Sequence, residues 1–205
     1  MVRKEEVLKL TVKVKTLSRE LREARAHIRY LEKERGIDDL TGASTRRVFD
    51  LAFDSSLRSV RGEIEDHRDR GSYLKDVSLI LMDLDFFKKV NDTHGHPVGD
   101  EVLRKAAALL MGSVRPVDMV ARMGGEEFAI LLRGANAAVA AQHAEHLRSK
   151  IAGLSFKTAR KLRVTASFGI ASTKHSTDAA ELYKLADDAL YRAKHEGRNT
   201  VVVAA

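Results

Sequence analysis

Acidic residues stand at two places where apolar runs of the sequence end. Asp83 and Asp85 close the run "VSLILMDLD", which is typical of a buried strand, and residues two apart on a strand face the same side. Glu126 and Glu127 follow two glycines in "DMVARMGGEEFAILL", a pattern that predicts a β-hairpin. If the hairpin lies beside the strand, three or four carboxylates converge and require a cation, because their mutual repulsion opposes ionisation. Oxygen ligands of this kind suit Mg²⁺ or Mn²⁺, whereas the competing interpretation is a solvated acidic hairpin tip.

Residues close to these acids are suited to a phosphate chain. Phe86 and Phe87 begin a short helical turn, and the free N–H groups of such a turn bind phosphate oxygens. Lys88 or Lys89 can neutralise negative charge that develops there. In "YRAKHEGRN", Lys194 and Arg198 stand four apart, either on one helix face or at its C-terminal edge, and two cations suit a triphosphate. A solvated helix end explains the same pair equally well.

An amide and a carboxylate follow in "NDTHGHPVGDE". Asn91 can bond a ring acceptor of a purine, and Asp100 can accept from the N1–H and the exocyclic amine that guanine presents. The sequence therefore carries side chains suited to a base, to phosphates and to a cation around one predicted strand.

Helical and strand patterns alternate along residues 36–205, with the hairpin among them. Candidate helices run from a cap at Ser44 or Thr45 to about residue 70, and over "GDEVLRKAAALLMGSV", "ANAAVAAQHAEHLRSKIAG" and "TDAAELYKLADDALYRAKHEG". Two further candidate strands are "RVTASFGIAS" and "NTVVVAA". We therefore predict an α/β fold whose mixed, largely antiparallel central sheet is flanked by helices.

The first 35 residues follow a different pattern. Apolar residues recur at alternating spacings of three and four, as in a heptad seam: Val7, Leu10, Val14, Leu17, Leu21, Ala24, Ile28 and Leu31. β-branched residues predominate at one seam position and leucine at the other, which favours a parallel two-stranded coiled coil. We predict a coiled-coil helix over 1–35 and a globular domain over 36–205. An amphipathic helix packed on its own domain is the alternative, although so narrow a seam covers a core poorly.

Composition excludes several classes of protein. No cysteine is present, which rules out a disulfide scaffold and a cysteine metal cluster. No apolar run is long enough to cross a bilayer and no signal peptide is recognisable, so we expect a cytoplasmic protein or fragment without a membrane segment. Residues 1–35 hold 11 Lys/Arg and 6 Asp/Glu and thus five of the seven net positive charges. The remainder is nearly balanced, so nucleic acid is not an expected partner.

Taken together, these motifs resemble the GGDEF family, the diguanylate cyclases. The signature turn stands as Gly124-Gly125-Glu126-Glu127-Phe128, with glutamate in place of aspartate. The stretches "DDLTG", "DLDFFKKVNDTHGHPVGDEVL", "ASFGIA" and "YRAKHEGRN" match in the family's order over roughly residues 36–204. The resemblance implies a fold like that of nucleotidyl cyclases and the polymerase palm. It also implies an Mg²⁺-dependent enzyme that condenses two GTP into cyclic di-GMP and releases two pyrophosphates, as a homodimer.

The resemblance implies roles for single residues. Asp83, Glu126 and the backbone carbonyl of Leu84 are expected to bind the metal. Glu126 is also expected to help deprotonate the attacking 3′-hydroxyl, Glu127 to support it or bind a second metal, and Lys88 to act on the phosphates. The expected substrate contacts are Asn91 and Asp100 for guanine, His96 for the ribose or base, and Phe86, Phe87, Lys194 and Arg198 for the phosphates.

The pair Arg115-x-x-Asp118 resembles the inhibitory site of the family, which binds product dimers at this distance before the glycines. Arg115 would grip phosphate or guanine and Asp118 would bind guanine, whereas an ordinary salt-bridged turn is the alternative. His146 stands where a neighbouring domain usually contributes another arginine. Thr45 stands where members usually carry asparagine before the paired arginines, which bears on how the linker docks.

Three functions stay open on the sequence. They are an active cyclase, a catalytically silent receptor that binds cyclic di-GMP or GTP, and a coiled-coil scaffold whose domain merely binds GTP. Intact glycines and glutamates in the signature favour the active cyclase. The N-terminal coil is of the kind that passes signals in this family, so an upstream sensor domain is an expected partner.

Overall fold

The computed structural model describes residues 13–21, 36–64 and 74–205 of the 205-residue chain. The chain divides into two compact units, Met1–Ile37 and Asp38–Ala205. None of the described helices combines the length and the apolar composition that crossing a bilayer requires.

Residues 13–21 of the first unit are helical and are labelled α1. Val14, Leu17 and Leu21 of the predicted seam lie on this helix and expose 60%, 53% and 52% of their surface. The other seam positions lie outside the described residues: Val7, Leu10, Ala24, Ile28 and Leu31. Large apolar side chains this exposed at seam spacing are typical of a helix that pairs with another. The coiled coil and the boundary between 1–35 and 36–205 stay predictions.

In the described part of the second unit, the strands form one mixed sheet. They are β1 Ser44–Thr45, β2 Val77–Leu84, β3 Met119–Gly124, β4 Glu127–Arg133, β5 Ala166–Ser172 and β6 Val201–Val203. The spatial order is β1-β3-β4-β2-β5-β6. Strand β2 is antiparallel to β4 and β5, and β3 is antiparallel to β4, whereas the outer pairs β1–β3 and β5–β6 are parallel. The predicted fold class is confirmed.

Helices cover both faces of the sheet because its central strands are apolar on both sides. They are α2 Arg46–Val60, α3 Phe87–His94, α4 His96–Met111, α5 Ala137–Ala152 and α6 Ala179–His195. Ile80 and Met82 of β2 pack in a core with α3, α4 and α5, while Val77 and Leu79 pack in a second core with α2 and α6. Alternation along β2 thus supplies both cores, as the strand period of two requires.

Local sequence explains the starts of two helices. Asn136 accepts a hydrogen bond from Val139 N–H at 3.0 Å and begins α5, and Asp178 caps α6 in the same way. The prediction that the first helix runs to about residue 70 is wrong, because α2 ends at Val60. Gly62 follows at φ +75°, a left-handed conformation that turns the chain away from the helix. The strand β1 was not anticipated, since it has only two residues.

Candidate functional site

The acidic hairpin lies directly beside the acidic end of β2. Asp83 is the cross-strand partner of Glu127, and the N–H of Leu84 donates to the Glu126 carbonyl at 3.4 Å. The reversal is formed by Gly125, at φ +50°, and Glu126, because β3 continues through the first glycine of the signature. The turn is therefore shifted by one residue from the predicted two-glycine turn. The side-by-side arrangement of strand end and hairpin, on which the sequence interpretation depends, is present.

Asp83 lies in an environment that opposes its ionisation. Burial raises the pKa of its carboxyl group, and the nearby charges of Glu126 and Glu127 raise it further. The Lys194 ammonium, whose Nζ is 2.7 Å from Asp83 Oδ2, lowers the pKa and offsets part of this. The single ammonium of Lys194 does not balance the carboxylates of Asp83, Glu126 and Glu127, so the end of β2 carries excess negative charge.

The donors at this edge fit a hard divalent cation that also binds substrate oxygens. Asp83 and Glu126 supply carboxylates, and Leu84, whose side chain is 1% exposed, has only its backbone carbonyl to offer. Over the described ranges, no group of three or more His, Asp or Glu side chains is placed to hold a metal by itself. Asp83, Glu126 and Glu127 are close enough for their charges to interact, but among the described residues they do not form a complete metal site by themselves. A site with so few protein ligands suits Mg²⁺, which keeps water and phosphate oxygens in its coordination sphere.

One acid of the predicted group points elsewhere, and another also borders a cleft. Asp85 is 4% exposed and its carboxylate accepts hydrogen bonds from Thr165 and Ser167, which removes it from the group. Glu127 lines a cleft of about 460 Å³ that also involves Tyr183 and Lys184. Glu127 thus stands opposite Asp83 and also borders the space between α2 and α6.

The segment after Asp85 presents backbone and cationic groups. Phe86 is the N-cap of α3, lies in the left-handed region at φ +56°, and is 60% exposed. Phe87 is 6% exposed and packs in the core, so only its backbone can take part in binding. Lys88 is exposed on the first turn of α3. The first turn of α3 therefore has unpaired N–H groups and a lysine available to an anion.

Lys194 and Arg198 do not share a helix face. Helix α6 ends at His195, with Lys194 in its last turn. Arg198 lies beyond the end at φ +62°, and its Cζ stands 4.4 Å from the centre of the Phe86 ring. Of the two alternatives, the helix edge is the correct one. Both cations still stand near the site. Lys194 pairs with Asp83 at the end of β2, and Arg198 stacks on Phe86 at the start of α3.

The predicted guanine readers lie on two adjoining helices. Asn91 is in α3 and Asp100 in α4, where Asp100 Oδ2 is 3.6 Å from Arg104 Nη2. Gly99, which had no predicted role, leaves room on α4 for the Asn91 side chain. A Cβ at residue 99 would stand 1.9 Å from the Asn91 amide oxygen. His96, the first residue of α4, is exposed.

Arg122 is a residue that the sequence interpretation missed. Its Nε and Nη2 donate to the Gly125 carbonyl at 2.9 and 2.7 Å, and its Nη1 lies 3.2 Å from Asp38 Oδ1. Burial opposes ionisation of Asp38, but hydrogen bonds from Thr41 and the charge of Arg122 hold the pKa of Asp38 below its usual value. Arg122 thus connects "DDLTG" to the signature turn. The sequence offered two clues to this contact: Arg122 stands two residues before the glycines, and Asp38 stands in the separate motif "DDLTG".

Arg115 and Asp118 form a bidentate ion pair. Arg115 Nε and Nη2 each donate to Asp118 at 2.9 Å, and Asp118 also accepts from the Arg133 N–H at 3.0 Å. The guanidinium remains largely exposed beside a cleft of about 290 Å³. His143 lines this cleft, and burial lowers its pKa. His146 is exposed one helical turn further along α5.

Comparison with known proteins gives consistent matches. A family model described as "Diguanylate cyclase, GGDEF domain" matches residues 36–200. The response regulator PleD of Caulobacter vibrioides is 41% identical over 170 residues, which cover 80% of this chain and 35% of PleD. This chain therefore spans about a third of the length of the curated relatives it matches.

Solved structures agree with the fold. The coiled coil and GGDEF domain of DgcB from Caulobacter crescentus, in complex with c-di-GMP, gives a TM-score of 0.73 at 28% identity, covering 95% of this chain and 99% of that one. The active GGEEF domain of a diguanylate cyclase from Vibrio cholerae gives a TM-score of 0.69 at 31% identity, covering 78% and 97%.

Proposed function

Because the chain belongs to the GGDEF family of diguanylate cyclases, we propose that it condenses two molecules of GTP into cyclic di-GMP and releases two pyrophosphates. The observation that carries the proposal is the pairing of Asp83 with Glu127 across adjacent strands, with Lys194 2.7 Å from Asp83. Glutamate at the third position of the signature is compatible with turnover, since the Vibrio cholerae relative is described as active with the same turn.

Asp83, Glu126 and the carbonyl of Leu84 would hold Mg²⁺. When bound, Mg²⁺ supplies activation of the 3′-hydroxyl and stabilisation of charge on the reacting phosphate. Glu126, at the tip of the turn, is suited to accept the proton of the 3′-hydroxyl. Lys88 and Lys194 offset the negative charge that develops on the phosphates, and Lys194 is already oriented by Asp83.

Asn91 on α3 and Asp100 on α4 would select guanine. Asn91 and Asp100 offer an amide and a carboxylate, the acceptor and donor pattern that the guanine edge requires. Because Gly99 lacks a side chain, the Asn91 amide can lie against α4 beside Asp100. We infer that this pair disfavours adenine, because the unprotonated N1 of adenine is an acceptor and cannot donate to a carboxylate.

Each domain holds groups for one GTP, so the reaction needs two domains facing each other. Val14, Leu17 and Leu21 are exposed on α1 at seam spacing, and this supports a coiled coil that brings two chains together. Such a link raises the effective concentration of the second half-site into the millimolar range for short connections. Homodimerisation is therefore part of the proposed mechanism.

The proposal is tested by incubating the chain with GTP and Mg²⁺ and measuring cyclic di-GMP over a range of protein concentrations. We expect product formation, with a specific activity that falls when the protein is diluted below the dissociation constant of its dimer. Leu17→Glu, in the seam, should move this loss to higher protein concentration, while Lys13→Glu serves as a control on the same helix. Absence of product from a folded dimer would exclude the active cyclase and leave the silent receptor and the GTP-binding scaffold.

Arg115→Ala is expected to relieve inhibition by the product. Its guanidinium is the exposed cation of the cleft beside Asp118, and removing a charge-assisted phosphate contact weakens binding by about tenfold or more. The measurement is the concentration of cyclic di-GMP that halves the initial rate, for Arg115→Ala and for the exposed control Arg160→Ala. Equal inhibition of the two variants would show that Arg115 and Asp118 are only a salt-bridged turn.

A further inference from the structure

Asp85 is a buried carboxylate for which the proposed reaction has no task. It is 4% exposed and follows β2 directly. Thr165 Oγ1 and Ser167 Oγ each donate to it at 2.7 Å, and the N–H of Asn199 donates at 3.0 Å. Among the residues that the structure describes, no lysine or arginine pairs with it. A buried carboxylate that depends on hydrogen bonds alone is costly, so its position calls for a physical explanation.

The segment that Asp85 contacts has an unfavourable backbone. After α6, Gly197 lies at φ +112°, Arg198 at φ +62° and Asn199 at φ +45°. Two successive residues with side chains in the left-handed region persist only where their surroundings hold them there. The described restraints are the Arg198 N–H on the Ala193 carbonyl at 3.0 Å, the Asn199 N–H on Asp85, and Arg148 on the Asn199 side chain at 2.8 Å.

This backbone conformation determines where Arg198 stands. Its guanidinium lies over the ring of Phe86, at 4.4 Å, beside the first turn of α3. Phe86 is 60% exposed, so the stacked guanidinium is at the surface where a phosphate chain would lie. Asp83 meanwhile holds Lys194, one turn earlier, through a direct ion pair. Asp85 holds the backbone next to Arg198 by accepting the N–H of Asn199.

We propose that Asp85 is a positioning residue for substrate binding, which holds Arg198 in place for the triphosphate by accepting the N–H of Asn199. The inference rests on the proposed function, since it takes GTP as the ligand. Asp85 touches neither substrate nor metal in this account. Its contribution is to keep the loop after α6 in one conformation before the nucleotide arrives, which reduces the entropy that binding would otherwise cost.

The test compares three replacements of Asp85 in the full chain. Asp85→Ala removes the acceptor, and Asp85→Ser keeps a hydroxyl in the buried site but is too short to replace Oδ2, which accepts from both Thr165 and the Asn199 N–H. Asp85→Asn keeps an oxygen for that N–H. The readouts are the dissociation constant of a nonhydrolysable GTP analogue by calorimetry, KM and kcat for GTP, and the melting temperature. Asp188→Ala, on the exposed face of α6, is the control.

We expect Asp85→Ala and Asp85→Ser to weaken binding of the analogue about tenfold and to raise KM by a similar factor. Asp85→Asn should stay within about threefold of wild type. Loss of stability alone would lower the melting temperature and the active fraction without moving KM. If the alanine variant fails to fold, the serine variant decides, because it keeps one polar group in the buried site.

A double-mutant cycle with Arg198→Ala shows whether Asp85 affects GTP binding through Arg198. If Asp85 acts through Arg198, Asp85→Ser should add little to the loss already caused by Arg198→Ala. Equal and additive losses, or wild-type binding by Asp85→Ser, would overturn the inference. Failure of the wild-type chain to bind the analogue would instead refute the proposed function, and this inference with it.

Discussion

Glu126→Gln is expected to reduce formation of cyclic di-GMP by roughly a thousandfold while the protein remains folded. The change replaces a carboxylate by an amide of the same shape at the tip of the hairpin turn. It removes both a proposed metal ligand and the proposed proton acceptor. The measurement is the initial rate with GTP and Mg²⁺, together with circular dichroism to establish the fold.

The same variant has a second readout that does not depend on turnover. Glu126 raises the pKa of Asp83, so its charge is repulsive when no cation is bound. Without metal, Glu126→Gln should therefore be at least as stable as wild type. Mg²⁺ with a nonhydrolysable GTP analogue should raise the melting temperature of wild type more than that of the variant, because the metal adds stability only where it binds. The control is Glu145→Gln, an exposed glutamate paired with Arg148 on α5.

Retention of activity by Glu126→Gln would exclude Glu126 from the metal and from proton transfer. The alternative candidate is then Glu127, which is opposite Asp83 and lines the cleft between α2 and α6. A matched Glu127→Gln variant in the same assay distinguishes the two glutamates.

Gly169→Ala is expected to lower the free energy of unfolding by about 3 kcal/mol, the upper part of the range for overpacked cores. A Cβ at residue 169 of β5 would stand 2.1 Å from the Ala186 carbonyl oxygen and 2.3 Å from the Leu190 nitrogen. These are backbone atoms of α6, so no side-chain rotation relieves the contact and the helix itself must shift. At roughly 2–4 °C per kcal/mol for a domain of this size, the melting temperature should fall by about 6–12 °C.

Displacement of α6 should also affect function, because Lys194 is in its last turn. We expect activity measured well below the melting temperature to fall with Gly169→Ala. Gly153→Ala is the matched control, since Gly153 has no positive φ and a Cβ there meets only ordinary contacts, at 3.5 and 3.7 Å. A melting temperature unchanged from that of Gly153→Ala would mean that α6 and β5 are less closely packed than the structure indicates.

The sequence by itself determined the class of fold, the family and the groups available for chemistry. Apolar periodicity switches between two and 3.6 residues along the chain, and this local property marks strands and helices without knowledge of their neighbours. Signature residues are likewise contiguous, so "MGGEEF" and "LMDLD" were recognisable from type and spacing. The side-chain caps at Asn136 and Asp178 are local interactions of the same kind, although they were not predicted.

Tertiary structure decided which of those groups meet. Asp83 and Asp85 are equivalent by local pattern, yet Asp83 faces Lys194 and Glu127 whereas Asp85 is turned to Thr165, Ser167 and the loop after α6. Arg198 could be placed on α6 or beyond it until the backbone of that loop was known. Strand register and the left-handed residues after α6 depend on partners far away in the chain, and a sequence pattern specifies only what its own neighbours can do.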